Sequence, residues 1–231
     1  GHAFSGMTDG AGAGGARVRV AVVDTGVRAD HPDLRPAGGR NCVFGEPEED
    51  WWRDEDGHGT HCAGVVAALV NGSGLKGYAP AVELRAYRVF ATGAEGAMTF
   101  DIATAIQRAV DDGCDVVSMS LGSASAQSAI RNKVEYAYDR GVLCVAATGN
   151  EGGRVSYPAA FPGVFGVGAF GRFGTYPPDS LHREVESALV GAEDAEAAEG
   201  VEGAGDGGVF VANFSNFGAQ EVDFCAPGVA V

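Results

Sequence analysis

A carboxylate and an imidazole occupy the two positions of this chain best placed for acid–base chemistry. Asp24 closes a short apolar run, VAVVD, that predicts a buried β-strand. His58 stands between two glycines at the start of an apolar stretch, 58–70, that predicts a helix. Because ligands of open α/β sheets bind outside the carboxyl ends of the strands, we expect the two side chains to meet there. A carboxylate in that position fixes the tautomer of the imidazole and stabilises the imidazolium that forms when the base takes up a proton.

The apolar runs around these two residues predict an α/β fold. Short runs rich in β-branched residues predict strands at 17–23, 82–90, 114–120, 142–148 and 164–170, and the stretches VFVANFSNFG and EVDFCAPGVAV predict a return to strands. Helical patterns alternate with them: Thr99 is predicted to cap one helix, and residues 126–139 predict another. This alternation predicts a doubly wound, mostly parallel sheet with helices on both faces. The length of 231 residues, 45% of them hydrophobic, favours a single domain over 1–231.

The charge balance excludes some partners. The chain carries a net charge of −15, so its surface repels phosphate backbones and we expect no nucleic-acid partner. No apolar run approaches the roughly 20 residues needed to cross a bilayer, so we expect no membrane span. Residues 171–209 are acidic and rich in Ala and Gly, which predicts an inserted surface loop.

Eight short motifs follow one another along the chain, and a resemblance rests on them. They are VAVVDTGV, HPDL, DGHGTHCAG, VVSMSLG, AATGNEG, YPAAFPGVFGVGA, NFSNFG and APGVAV. In these motifs and their order the chain resembles the subtilisin-like serine peptidases, or subtilases, over nearly everything except 171–209. The resemblance implies an endopeptidase that hydrolyses peptide bonds with an Asp-His-Ser triad, in which Asp24 is the acid and His58 the general base. It also implies that Asn150, in AATGNEG, donates a hydrogen bond in the oxyanion hole.

The same resemblance assigns residues to substrate and metal binding. It implies an S1 pocket, which holds the substrate side chain before the cleaved bond, and an edge that pairs with an extended polypeptide. The implied walls of the pocket are Ser120, Leu121, Gly122, Ala147, Thr148 and Gly149, and its floor is Ser156. The implied edge is Ala94, Glu95 and Gly96. A small serine at the floor implies room for a large apolar side chain. A structural calcium site is implied at Asp33 and Asn71 with the carbonyls of Leu69, Ser73 and Leu75, and a loop without metal stays open as the alternative. No cofactor is implied for catalysis, while secretion and an inhibitory pro-segment are.

The triad serine is the one part of the pattern that these residues do not supply. No GTS or GxSxG motif occurs. In the family, the nucleophilic serine lies well beyond the APG turn, which here is at 226–228, and fewer residues than that remain before Val231. We therefore expect a partial catalytic domain whose serine lies beyond this chain's end, and we expect the 231 residues alone to be inactive. Two alternatives remain at this point: a non-catalytic peptide-binding homologue, and a metal-binding module that uses His58, His61 and Cys62, since residues three and four apart share a helix face.

Overall fold

Strands and helices alternate along the part of the chain that the computed structural model describes, residues 17–172 and 209–229. The strands are β1 (Arg19–Asp24), β2 (Gly38–Asn41), β3 (Glu83–Arg88), β4 (Val116–Met119), β5 (Leu143–Ala147), β6 (Val164–Arg172), β7 (Val209–Val211) and β8 (Phe224–Pro227). The helices are α1 (His58–Ala67), α2 (Thr99–Asp111) and α3 (Ser128–Tyr138), and a 3₁₀ helix at Glu48–Trp52 precedes α1. Within the described residues, no helix is both long enough and apolar enough to cross a membrane.

Two compact units divide the chain. The first comprises Gly1–Leu121 and Gln127–Val145, and the second comprises Gly122–Ala126 and Ala146–Val231. The expectation of one domain over 1–231 stays a prediction.

The first unit is a parallel sheet with helices on both faces. Strand β1 pairs in parallel with β3 and β4, and β2 pairs in parallel with β3. On one face, α1 contributes Ala63 and Ala67 to a core shared with Val22 of β1. On the other face, the hydroxyl of Tyr87 in β3 donates to Asp112, directly after α2. Because both faces are covered, β1 is buried from its second residue onward, and the predicted α/β architecture is confirmed.

Two local features of the first unit differ from the sequence-based expectations. Thr99 is not the cap of α2 but its first residue; Met98, with an extended backbone and no side-chain hydrogen bond, holds the cap position. Strand β2 was not expected, because its sequence, GGRN, has low strand propensity. Packing accounts for one of its glycines, since a Cβ at Gly39 would lie 2.1 Å from the carbonyl oxygen of Ala86 in β3.

The second unit contains the last three strands. Strand β6 pairs in parallel with β8 and antiparallel with β7, where Arg172 is the partner of Val209. Residues 171, 172 and 209 are therefore strand residues rather than parts of a loop, which corrects the predicted bounds of the insertion. The remainder of the predicted acidic loop, 173–208, lies outside the described residues.

Candidate active site

Asp24 and His58 meet at the carboxyl end of β1. Nδ1 of His58 lies 2.7 Å from Oδ1 of Asp24. The carboxylate of Asp24 is 1% exposed and can only accept, so Nδ1 must carry the shared hydrogen. In a neutral imidazole this leaves the lone pair on Nε2. Because 48% of the His58 side chain is exposed, the imidazole is accessible to groups outside the fold as a proton acceptor.

The Asp24 carboxylate also favours the protonated form of the His58 imidazole. Its hydrogen bond to Nδ1, with a smaller contribution from Cys62, raises the pKa of His58 well above its usual value. Oδ1 of Asp24 also accepts the backbone N–H of Thr25 at 2.7 Å. No donor among the described residues reaches the buried Oδ2. A carboxylate removed from water and supplied with few donors favours a protonated neighbour, which is the state a general base must reach during catalysis.

Asp54 anchors the first turn of α1, the turn that carries His58. Its carboxylate accepts the backbone N–H groups of Gly57 and Thr60, each at 2.8 Å, and the hydroxyl of Thr25 at 2.8 Å. Burial opposes ionisation of Asp54, but the hydrogen bonds from Thr60, Gly57 and Thr25 outweigh it and hold its pKa below the usual value. The cap residue Gly57 has no side chain to offer, so Asp54 satisfies the free N–H groups of this helix end instead. Through Thr25 the same carboxylate ties the helix to the residue that follows Asp24.

The glycine after His58 permits the close approach of α1 to the end of β1. A Cβ on Gly59 would lie 2.2 Å from the carbonyl oxygen of Gly26 and 3.0 Å from the Cβ of Asp24. The backbone N–H of Gly59 donates to the Thr25 hydroxyl at 2.8 Å. The helix therefore rests directly on the loop after β1, which brings the imidazole within reach of the carboxylate.

Asn150 lies in the second unit, on an exposed loop that follows β5. The preceding residue, Gly149, has a φ of +109°, a conformation that glycine adopts without strain. The backbone N–H of Asn150 donates to Oε2 of Glu151 at 3.0 Å. The residue is thus held by its main chain, while its exposed side chain can donate to a group outside the fold.

Four residues predicted to line the S1 pocket converge in the second unit. The backbone N–H of Ser156 donates to the carbonyl of Thr148 at 2.8 Å. A Cβ at Gly122 would lie 3.2 Å from the Cβ of Ser156, and one at Gly149 would lie 2.8 Å from its hydroxyl oxygen. Ser156 itself is buried, as a residue at the floor of a pocket would be.

The other predicted substrate-binding residues lie at strand ends and in loops. Ala147 is the exposed last residue of β5, and Ser120 and Leu121 directly follow β4 in the first unit. The three residues of the predicted peptide-pairing edge, 94–96, are exposed in the loop between β3 and α2.

The residues predicted to bind calcium gather around one carboxylate. Nδ2 of Asn71 donates to Oδ1 of Asp33 at 2.7 Å, and the backbone N–H of Leu69 donates to the Asp33 carbonyl at 2.9 Å. A Cβ at Gly74 would lie 2.0 Å from Oδ2 of Asp33, so the loop 69–75 wraps closely around this side chain. Among the described residues, no basic side chain forms an ion pair with Asp33. The Asp33 carboxylate and the Asn71 side chain thus lie together, with Asn71 presenting its nitrogen rather than its oxygen, and the calcium site stays a prediction.

A second set of side chains has metal-ligand spacing, but it differs from the predicted one. In the described part of the chain, one group of three such side chains converges: Asp24, His58 and Cys62, with their ligand atoms within 4.8 Å of one another. Cys62 lies one turn after His58, with its sulfur 3.9 Å from Nδ1. His61 is exposed and outside this group, so the predicted set of His58, His61 and Cys62 is wrong in that member. In this group Nδ1 is the nitrogen nearest the other two ligand atoms, and because it donates to Asp24 it has no lone pair for a metal.

A buried carboxylate orients a half-exposed imidazole at the end of a parallel sheet, an arrangement that suits acid–base chemistry. A protein-family model described as the Subtilase family matches residues 15–230. The chain therefore belongs to the subtilase family, as its motifs predicted.

Curated relatives agree with this assignment. Subtilisin DY of Bacillus licheniformis is 40% identical over 192 residues, which cover 81% of this chain and 66% of that protein. Subtilisin Savinase of Lederbergia lenta is 44% identical over 156 residues, covering 67% of this chain and 56% of the relative. A thermostable alkaline protease of Halalkalibacterium halodurans is 41% identical over 172 residues, covering 71% of this chain and 46% of the relative. The chain thus spans about half to two thirds of the length of these relatives.

Sequence reasoning missed the residues that support the site. Asp54 stands in the acidic loop before α1 and was not distinguished from its neighbours there. Asn216 stands in the motif NFSNFG, which was recognised but given no role. The short spacing from Asp54 to the helix start was an available signal for the first, whereas no local pattern links Asn216 to the loop around Asn150.

Proposed function

We propose that this chain carries the acid, the base and the oxyanion donor of a serine endopeptidase. The observation that carries the proposal is the 2.7 Å hydrogen bond between the buried Asp24 carboxylate and the half-exposed His58 imidazole. Membership of the subtilase family and relatives named subtilisin and alkaline protease support peptide-bond hydrolysis. We place the triad serine in sequence beyond Val231.

In this mechanism His58 first accepts a proton and then donates it. Its Nε2 accepts the proton of the serine hydroxyl as the serine oxygen attacks the scissile carbonyl carbon. Asp24, hydrogen-bonded to Nδ1, stabilises the imidazolium that results. The imidazolium then gives the proton to the leaving amine nitrogen, the peptide bond breaks, and an acyl-enzyme remains. Water attacks the acyl carbon in the same way, with His58 again as base and then acid.

Asn150 would stabilise the carbonyl oxygen of the substrate and take no part in proton transfer. The scissile carbonyl oxygen gains negative charge in the tetrahedral intermediate, and a fixed amide donor stabilises that charge more than it stabilises the neutral carbonyl. The exposure of the Asn150 side chain supports this part of the proposal, since its amide is accessible to a bound substrate.

The substrate is proposed to be an extended polypeptide that pairs with residues 94–96 by added strand hydrogen bonds. The convergence of Gly122, Thr148, Gly149 and Ser156 supports a pocket for one side chain, and the small floor residue favours a large apolar one. We further propose that the protein acts outside the cell, that a pro-segment inhibits it, and that calcium is structural. At that metal site, Asp33 and the carbonyls of 69–75 would hold the ion, with the Asn71 amide rotated to present its oxygen.

The test uses protein expressed from the complete gene and a serine-directed fluorophosphonate. We expect covalent labelling at one serine, loss of labelling in His58→Ala, and hydrolysis of peptides with Phe or Leu before the cleaved bond. Asn150→Ala should lower kcat by about 10²–10³-fold with a smaller change in KM, a magnitude established on subtilisin itself. His61→Ala, an exposed histidine of the same helix, is the control and should retain activity.

Two outcomes would contradict the proposal. Absence of labelling together with retained binding of extended peptides would indicate a non-catalytic peptide-binding protein. Hydrolysis that chelators abolish and fluorophosphonates do not would indicate metal chemistry at Asp24, His58 and Cys62.

A further inference from the structure

One buried amide, Asn216, lies at the centre of the hydrogen bonds that shape the Asn150 loop. Its side chain lies in the connection between β7 and β8 and is 3% exposed. Its Oδ1 accepts the backbone N–H groups of Glu151 at 3.0 Å and Gly153 at 2.9 Å. Its Nδ2 donates to the carbonyl of Thr148 at 3.0 Å and to Oε2 of Glu151 at 2.7 Å. A longer contact of 3.4 Å joins Nδ2 to the hydroxyl of Ser156, so every hydrogen bond of this side chain goes to residues 148–156.

These contacts enclose Asn150 from both sides. The backbone N–H of Asn216 donates to the carbonyl of Gly149 at 3.0 Å, so the residues directly before and after Asn150 are both held. Oε2 of Glu151, which Asn216 contacts, also accepts the backbone N–H of Asn150 at 3.0 Å. A Cβ at Gly149 would lie 2.2 Å from Nδ2 of Asn216, so the loop backbone lies directly against the amide.

The position requires an amide and not merely a polar side chain. The loop presents two N–H donors on one side of Asn216 and two oxygen acceptors on the other, and only an amide both accepts and donates in this way. Aspartate has nearly the same shape but no donor, and its charge would face the carboxylate of Glu151. Alanine removes all of these bonds and leaves the backbone N–H groups of Glu151 and Gly153 without these partners.

We propose that Asn216 is the positioning residue of the oxyanion hole: it fixes the loop on which Asn150 presents its side chain. The inference rests on the proposed function, in which Asn150 is the oxyanion donor. A donor is effective only within hydrogen-bond distance of the developing oxyanion, and a misplacement of about 1 Å can cost 10²-fold in rate. Asn216 acts through Asn150 and does not itself touch the substrate.

The kinetic test is a double-mutant cycle in the protein expressed from the complete gene. We expect Asn216→Ala to lower kcat by about 10–10²-fold, mostly without a change in KM. In an Asn150→Ala background the same substitution should cost less than about 3-fold, because the donor that it positions is already gone. Asn216→Asp should resemble Asn216→Ala. Asn213→Ala, in the same connection, is the matched control and should leave kcat unchanged.

An equal loss of kcat in both backgrounds would overturn the inference, since Asn216 would then act on stability or on another step. A second measurement does not depend on activity: amide hydrogen exchange at Glu151 and Gly153. We expect slow exchange at both in the wild type and fast exchange in Asn216→Ala, with the Ala212 amide, bonded to the carbonyl of Ala169, unchanged. Unchanged exchange at Glu151 and Gly153 would overturn the inference even in an active enzyme. A wild type that hydrolyses nothing would instead contradict the proposed function, and the exchange data would still decide whether Asn216 holds the loop.

Discussion

The chemistry of the candidate site depends on which nitrogen of His58 carries a proton. The buried carboxylate of Asp24 accepts from Nδ1 and thereby leaves Nε2 as the basic nitrogen. The same contact raises the pKa of His58, so at a given pH more of the imidazole is protonated than in an isolated histidine. A general base works only when it is neutral. Activity should therefore rise with pH as His58 loses its proton, and the raised pKa should place that rise on the alkaline side of neutral.

Replacement of Asp24 by Asn tests this dependence. Without the carboxylate charge, the pKa of His58 should fall toward the usual value near 6.5, so the acid limb of kcat/KM should move to lower pH. The rate should also fall by about 10⁴-fold, the size known for serine proteases with this triad, because the amide no longer holds the productive tautomer. NMR titration of the His58 ring measures the first effect, and the pH profile of residual hydrolysis measures the second. Asp139→Asn, an exposed acid after α3, is the control, and an unchanged His58 titration in Asp24→Asn would contradict the assignment.

At the scale of elements, the site depends on how closely α1 approaches the end of β1. Two features produce that approach: the Asp54 carboxylate, which bonds the helix start to Thr25, and Gly59, which lacks the Cβ that would strike the Gly26 carbonyl. Neither contributes an atom to the proposed chemistry. Both determine the distance between Asp24 and His58.

Two glycines of α1 provide a matched comparison. Gly59→Ala would place a Cβ 2.2 Å from the Gly26 carbonyl oxygen, so α1 must shift away from β1. We expect a loss of about 1–3 kcal/mol in the free energy of unfolding and at least ~10²-fold in kcat/KM. Gly64→Ala in the same helix meets no heavy atom within 4 Å, so the helix preference for alanine over glycine, about 1 kcal/mol, should appear as equal or greater stability. Urea unfolding and steady-state kinetics measure both, and equal behaviour of the two variants would show that the close approach is unimportant.

A buried strand is easiest to predict from the sequence when its residues form an uninterrupted apolar run. Strand β1 falls on such a run because both faces of this parallel strand are covered, whereas β3, with the sequence ELRAYR, was predicted although charged residues interrupt its apolar pattern. Strand β2 was not predicted, because its pairing with β3 depends on the close approach of the two backbones at Gly39 and not on a pattern of apolar residues. The cap of α2 was misplaced by one residue because a threonine at a helix start has the same composition signal in either position.

The residues of the candidate site likewise comprise some that the sequence predicted and some that it did not. Asp24 and His58 could be paired from the sequence because one ends a strand and the other begins a helix, and the fold brings such ends together. Their supports could not, because Asp54 acts from a loop before the cap residue, and Asn216 contacts the Asn150 loop from a distant part of the chain. Contacts of that kind are set by tertiary packing, which local periodicity does not describe.

At the scale of the whole molecule, the dominant feature is charge. The chain carries a net charge of −15, and self-repulsion among like charges opposes the compact state. The half-buried carboxylate of Asp33 lies against Gly74 of the loop 69–75 and accepts an amide hydrogen bond from Asn71. A cation bound there would reduce the repulsion and join two segments of the first unit, so calcium should affect the stability of the fold more than the chemistry.

Calcium addition should therefore raise the melting temperature, and Asp33 should account for the increase. A ligand present at 100 times its Kd stabilises by about 2.7 kcal/mol, which for a chain of this size corresponds to ~5–11 °C. We expect this shift in the wild type and its loss in Asp33→Asn, measured by calorimetry against sodium chloride of equal ionic strength, which screens surface charge without occupying the site. Asp30→Asn, an exposed acid paired with Arg28 a few residues away, is the matched control and should keep the shift. Because both variants change the net charge equally, an equal response would mean that calcium acts by general screening and that the loop around Asp33 binds no metal.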